Sequence, residues 1–213
     1  MKWLVFDLDG TLLDTIYDIA NSMNHALIKH NLNTNSIDDY RSYVGNGMFE
    51  LVRRSIHKDD EELLELVLND YKEHYNLNCC DKTNYFPGIL KSIDKLKKLG
   101  YHLAVISNKP HNQTEMILKK YFDGYFEYFA GAKSDVLPKP NPQALNLFAQ
   151  KFSLTKDDII YIGDSCVDAN FAINFGCQYF LFEYGYANKK ELHQYKPTKF
   201  LNSLEEIFNY LKK

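Results

Sequence analysis

The stretch Trp3-Leu4-Val5-Phe6-Asp7-Leu8-Asp9-Gly10-Thr11 sets the reading of the whole chain. Four apolar residues in a row predict a short strand buried on both faces, because a strand with one wet face would alternate. The run ends abruptly in acids. Asp7 and Asp9 are two positions apart, so both side chains leave an extended chain on the same side. Gly10 then permits a tight turn that a residue with a Cβ would resist. Two carboxylates this close repel each other, and the pair calls for a cation or a shared proton.

Two more apolar runs end the same way. Residues 103–106 run into Ser107-Asn108-Lys109-Pro110, and residues 159–162 run into Gly163-Asp164-Ser165, with Asp168 just beyond. Residues 125–129 and 179–182 predict two further strands. Helical spacing fills the gaps: Ile89, Ile93 and Leu96 share a face, as do Leu204, Ile207, Phe208 and Leu211 behind a Ser203/Glu206 capping box. Strands alternating with helices imply an α/β fold, a parallel sheet with right-handed crossovers. In such a sheet, ligands bind beyond the carboxyl ends of the strands.

Residues 15–82 break the alternation. Ile16, Ile19, Ala20, Met23 and Leu27 lie on one helical face. Leu64, Val67, Leu68, Tyr71 and Tyr75 lie on another, and Met48, Leu51, Val52 and Ile56 suggest a third helix. The expected division is a core of residues 1–14 and 83–213 with an all-helical insertion at 15–82.

Composition narrows the function. Hydrophobic residues at 45% and charged residues at 25% are ordinary for a globular chain and exclude disorder. A net charge of −3 offers no basic surface for nucleic acid or an anionic membrane, so neither is an expected partner. No targeting or membrane-spanning segment is read. Cysteines 79, 80, 166 and 177 form no C-x-x-C pair and predict free thiols in a reducing cytoplasm. The histidines lack zinc spacing.

Asp7, Asp9, Asp164 and Asp168 gathered at one buried edge would be costly without compensating charge. Their all-oxygen character points to Mg²⁺ as the cofactor. Ser107 and Asn108 offer hydrogen-bond donors at the second strand end. Lys139, in Leu137-Pro138-Lys139-Pro140-Asn141-Pro142, precedes the helical run of Ala144, Leu147 and Phe148 and brings positive charge to the same edge. Carboxylates, a divalent ion, a lysine and a serine together suit phosphoryl transfer.

At these residues the sequence resembles the haloacid dehalogenase superfamily of aspartyl-phosphate phosphatases. The four ordered motifs are Asp7-Leu8-Asp9-Gly10-Thr11, Ser107-Asn108, Lys139-Pro140, and Gly163-Asp164-Ser165 with Asp168. The resemblance implies a Rossmann-like core in which the strands ending at Asp7, Ser107 and Asp164 are neighbours, with a C1-type helical cap. It implies that Asp7 is the nucleophile and that Asp9 is the general acid and then base. Ser107, Asn108, Gly10 and Lys139 would bind phosphate, with Lys139 also pairing with Asp7. Asp7, the Asp9 carbonyl and Asp164 would hold Mg²⁺, with Asp168 joining directly or through water. An acid at position 9 separates phosphate chemistry from dehalogenation, since a halide leaving group needs no proton.

Tyr43-Val44-Gly45-Asn46-Gly47, Ser107-Asn108-Lys109-Pro110, Gly176 and Tyr184-Gly185-Tyr186 resemble the phosphoglycolate phosphatases of this superfamily. Ala187 stands where that group often has Asn. Gly45, Asn46 and Arg53 are candidate cap contacts to substrate, as is Arg54, because guanidinium matches a carboxylate bidentately. The modest length leaves room for one small cap, so a small soluble phosphate ester is the expected substrate, and a monomer or weak homodimer is the expected state. Competing readings are a pyrophosphatase or sugar-phosphate phosphatase of the same family, a phosphomutase resembling the β-phosphoglucomutases, and a non-catalytic phosphate- or Mg²⁺-binding domain.

Overall fold

The computed structural model describes residues 2–211. Strand β1 (Trp3–Phe6) leads through a short β2 (Leu13–Asp14) into four helices: α1 (Ile16–Lys29), α2 (Ile37–Tyr43), α3 (Met48–Ile56) and α4 (Glu61–Asn78). The chain returns through β3 (Asn84–Tyr85), which pairs antiparallel with β2. It then alternates: α5 (Ile89–Lys98), β4 (His102–Pro110), α6 (His111–Tyr121), β5 (Tyr128–Ala132), α7 (Gln143–Phe152), β6 (Ile159–Gly163), α8 (Cys166–Phe175) and β7 (Gln178–Phe182). A short α9 (Lys189–Leu192) precedes β8 (Lys199–Leu201).

The six long-range strands form a parallel sheet in the order β5-β4-β1-β6-β7-β8. β1 lies between β4 and β6, with Phe6 opposite both Val105 and Ile162. The three polar strand ends read from sequence therefore meet at one level of the sheet. Alternation along the strands divides the core. Leu4, Phe6, Val105 and Ile162 face one side, while Trp3, Val5, Ala104 and Tyr161 face the other. The first of these faces runs without a break into the interior of the helical insertion through Leu12, Ile16, Ile19 and Leu51.

Buried Asp18 on α1 anchors the return segment by accepting from the Lys82 and Thr83 backbone N–H groups and the Thr83 hydroxyl. Three local readings change. The fifth strand spans Tyr128–Ala132, not 125–129, because Tyr125 closes a turn onto Phe122 and Phe126 packs against Phe6 and Phe122. Residues 204–209 form a 3₁₀ helix, whose three-residue period drives both Leu204 and Ile207 inward. The expected Ser203 cap is not made, and Glu206 instead accepts from the Asn202 N–H. Helix α2 escapes the apolar pattern but carries a Ser36/Asp39 capping box, a signal present in the sequence.

Candidate active site

Asp7 continues β1, and its backbone N–H still donates to Ile162 O at 2.9 Å. This fixes the carboxylate at the sheet edge between β4 and β6. One oxygen, Asp7 Oδ1, is buried without a hydrogen-bond partner and lies 3.0 Å from Lys139 Nζ. Burial pushes the Asp7 carboxyl up to about 6, against the opposing pull of Lys139. Asp164, beyond β6, is also held well above the usual carboxylate range by burial and by Asp168 and Asp7.

Lys139 is buried and doubly paired. Its Nζ lies 2.7 Å from Asp168 Oδ1 and donates to Tyr161 Oη at 2.9 Å. Burial alone would lower the ammonium pKa, but Asp168 and Asp7 outweigh it and raise it, so the lysine stays charged. The backbone of Lys139 is clamped by Asn108. Asn108 Oδ1 accepts from Lys139 N–H at 2.7 Å, and Asn108 Nδ2 donates to Lys139 O at 2.9 Å. The same Nδ2 donates to Gly45 O of the helical insertion at 2.9 Å. Asn108 thus ties the lysine loop and the α2–α3 loop to β4.

Asp168 sits at the third position of α8 and forms a capping box with Ser165. Its Oδ2 accepts from the Asp164 and Ser165 N–H groups and the Ser165 hydroxyl. Burial works to raise its pKa, but Lys139, Ser165 and Tyr161 together hold it below the ordinary value.

Asp9 accepts from Thr15 Oγ1 at 2.7 Å, while Lys109 Nζ reaches both of its oxygens at 3.0 and 3.1 Å. Asp164 accepts from Thr11 Oγ1 at 2.7 Å and from the Tyr186 N–H at 2.8 Å. Ser107 is buried, and its Oγ accepts from Lys109 N–H at 3.3 Å, leaving its proton free to donate elsewhere.

Two glycines exist for close approach. At Gly10, φ is +81° and a Cβ would fall 2.4 Å from Asp164 Oδ2. At Gly185, a Cβ would fall 2.2 Å from Asp164 Cβ. The Tyr184–Tyr186 turn also holds the β1–α1 loop, through Tyr184 Oη to Thr11 O and Tyr186 Oη to Asp14 Oδ1. Gly185→Ala should therefore displace Asp164 and lower the unfolding free energy by roughly 1–3 kcal/mol, measured by urea denaturation.

The donor set suits a hard cation. Asp7, Asp164 and Asp168 each place a carboxylate oxygen within 4.8 Å of the others. Among the described residues, Lys139 is the one lysine paired with this group of buried acids, and the elevated Asp7 and Asp164 carboxyls mark more negative charge than it offsets.

A small cavity opens from Asp7 and Asp9 towards the insertion, lined also by Ser107, Asn108, Lys109 and Gly45. Arg53 is not brought to it. Half-exposed, it lies 3.1 Å from Glu61 and 3.9 Å from Glu50. Arg54 donates to Tyr43 O and Asn46 Oδ1, so Asn46 braces the loop whose Gly45 and Gly47 line the cavity. Sequence reasoning missed Thr11, Thr15, Lys109 and Tyr161 as polar partners of the acids. The signal for Tyr161 was a phenol inside an otherwise apolar strand, which needs a buried partner. Lys109 adjoins Ser107-Asn108 and was quoted without a role.

The chain matches the haloacid dehalogenase-like hydrolase family over residues 4–182. It belongs to that family. Similar proteins include the phosphoglycolate phosphatase of Aliivibrio fischeri, 28% identical over 99% of this chain and 95% of that one. The phosphoglycolate phosphatase of Thiobacillus denitrificans is 30% identical over 97% of this chain and 93% of that one. Among solved structures, a predicted phosphoglycolate phosphatase from Haemophilus somnus 129pt superposes with a TM-score of 0.94 at 29% identity, covering 100% and 98% of the two chains. This haloacid dehalogenase-like chain is thus phosphoglycolate phosphatase-like over its whole matched length. No helix among the described residues is long and apolar enough to cross a membrane.

Proposed function

We propose that the protein is a Mg²⁺-dependent phosphatase that hydrolyses small phosphate monoesters, with 2-phosphoglycolate as the leading substrate. The observation that carries this reading is the placement of Asp7 at the sheet edge, 3.0 Å from a buried Lys139 and beside Asp9 and Ser107. The names of the relatives support the substrate.

In the first step an Asp7 oxygen attacks phosphorus, and the phosphorus–ester oxygen bond breaks. Asp9 gives its proton to the departing alkoxide. In the second step Asp9 takes a proton from water, whose oxygen attacks phosphorus, and the Asp7–phosphoryl bond breaks to release phosphate. Ser107 donates to a phosphoryl oxygen. Lys139 neutralises Asp7 and the phosphoryl group, so that two anions can approach. Asp168 and Tyr161 hold the lysine at this station. Asp7, the Asp9 carbonyl and Asp164 would hold Mg²⁺, which when bound neutralises carboxylate and phosphate charge. Asp168, whose oxygens already accept from Lys139 and the Asp164–Ser165 segment, serves the lysine first.

Residues 15–82 act as the cap in this reading. Their closure excludes water while phosphorus is transferred, and Gly45, held by Asn108, is one of their contacts with the core. The four free cysteines suit a cytoplasmic enzyme.

A screen of phosphate esters tests the reading. Release of inorganic phosphate from 2-phosphoglycolate ahead of pyrophosphate, nucleotides and sugar phosphates is expected. Isomerisation of a sugar phosphate without phosphate release would instead mean a mutase.

Metal binding should also show in stability. In the metal-free protein Asp7 is raised from 3.8 to about 6. The native state keeps this proton where the unfolded chain has lost it. The resulting stability is present at low pH and disappears as pH rises through about 6. Mg²⁺ should therefore raise Tm more at about pH 7.5 than at about pH 5. Calorimetry across that range, with and without the ion, checks the sign.

A further inference from the structure

Among the described residues, Lys109 is the one cationic side chain that lines the cavity between Asp7 and the helical insertion. Most of the opposite wall is apolar: Ile19, Val44, Met48, Leu51 and Tyr71. Lys109 is buried, with Nζ 3.0 Å from Asp9 and 4.6 Å from the centre of the Tyr75 ring on α4. The ammonium therefore sits between the acid that meets the ester oxygen and the face that meets the rest of the leaving group. A buried ammonium in such a wall is costly unless it faces negative charge. Asp9 supplies that charge from one side only.

We infer that Lys109 selects phosphate esters whose alcohol carries a second anionic group next to the ester oxygen. The inference rests on the phosphatase reading above and deepens it. In 2-phosphoglycolate a single methylene separates the ester oxygen from the carboxylate. With the ester oxygen at Asp9, that carboxylate comes to Lys109. A hydrogen bond between two charged groups is strong, and an uncharged alkyl group in the place of the carboxylate leaves the ammonium with Asp9 and the Tyr75 ring. The arginines read from sequence as carboxylate contacts are engaged elsewhere, with Glu61 and Glu50 for Arg53 and with loop carbonyls for Arg54.

The test compares 2-phosphoglycolate with ethyl phosphate, which keeps the phosphate and the methylene and replaces the carboxylate with a methyl group. The wild-type protein should favour 2-phosphoglycolate in kcat/KM. Lys109→Met should reduce that ratio by roughly 10- to 100-fold, chiefly through KM for 2-phosphoglycolate. Lys109→Arg should keep most of it. The ratio removes most of any effect of Lys109 on Asp9, since both substrates leave as alkoxides that Asp9 must protonate. Equal losses on both esters in Lys109→Met would overturn the inference and leave Lys109 a positioning residue for Asp9. The wild-type comparison needs no variant: equal kcat/KM for the two esters also overturns it, while leaving the phosphatase reading intact. Failure of the wild type to hydrolyse either ester or p-nitrophenyl phosphate overturns the phosphatase reading, and the inference with it.

Discussion

Asp7→Asn is expected to abolish hydrolysis of p-nitrophenyl phosphate, with kcat falling by roughly 10⁴-fold or more. The amide cannot attack phosphorus, and no other carboxylate stands in its place. Asp164 is engaged with Thr11 and the Tyr186 amide, and Asp168 with Lys139 and the Ser165 amide. Asp9, beside Asp7, is held by Thr15 and Lys109. The loss should not come from unfolding. Asp7 is buried with one oxygen lacking a hydrogen-bond partner, and its ionisation works against the metal-free fold. Removing that charge should leave Tm unchanged or higher at neutral pH. A variant that retained activity, or lost it only by melting, would mean that Asp7 is not the nucleophile.

Lys139→Met should be damaging in two ways. Catalysis loses the cation facing Asp7 and the incoming phosphate. Stability also suffers, because Asp7 and Asp168 are both buried and their shared counter-ion is gone. Breaking a buried pair from one side costs about 3–5 kcal/mol. Part of this should return in the double variant Lys139→Met/Asp168→Asn, which removes one of the two stranded charges as well. Activity should not return with it. Urea denaturation of the two single variants and the double variant measures the coupling, and additive losses would deny that the pair acts as a unit.

The sheet was legible in the sequence because its central strands are short and buried on both faces. Apolar runs that stop abruptly, as at Phe6/Asp7 and Gly163/Asp164, mark both the strand and its carboxyl end. Four ordered motifs singled out the acids, Ser107 and Lys139 as a set, and the strand order β4-β1-β6 brings their elements to one edge. Legibility failed where contacts across the chain decide the outcome. Tyr125 and Phe126 read as strand residues but answer to an aromatic cluster around Phe122. Arg53 had the right chemistry for a carboxylate, yet its neighbours Glu50 and Glu61 hold it at the surface. Nothing in the sequence marks Lys109 as buried; its place over the Tyr75 ring depends on how α4 lies against the end of β4. The Tyr184-Gly185-Tyr186 turn carried no chemistry of its own, and only the fold sets it against Asp164 and the loop after β1.

The central claim is that phosphorus passes through Asp7. Acid quenching during turnover, followed by mass spectrometry of the peptide containing residues 3–11, tests it directly. With p-nitrophenyl phosphate, whose leaving group departs without a proton, Asp9→Asn should slow the second step more than the first, so the intermediate should accumulate in that variant. The expected result is one hydroxylamine-labile phosphoryl group on Asp7, in the wild type transiently and in Asp9→Asn at higher occupancy. Sustained phosphate release with no phosphoryl group on that peptide, together with turnover by Asp7→Asn, would contradict the account.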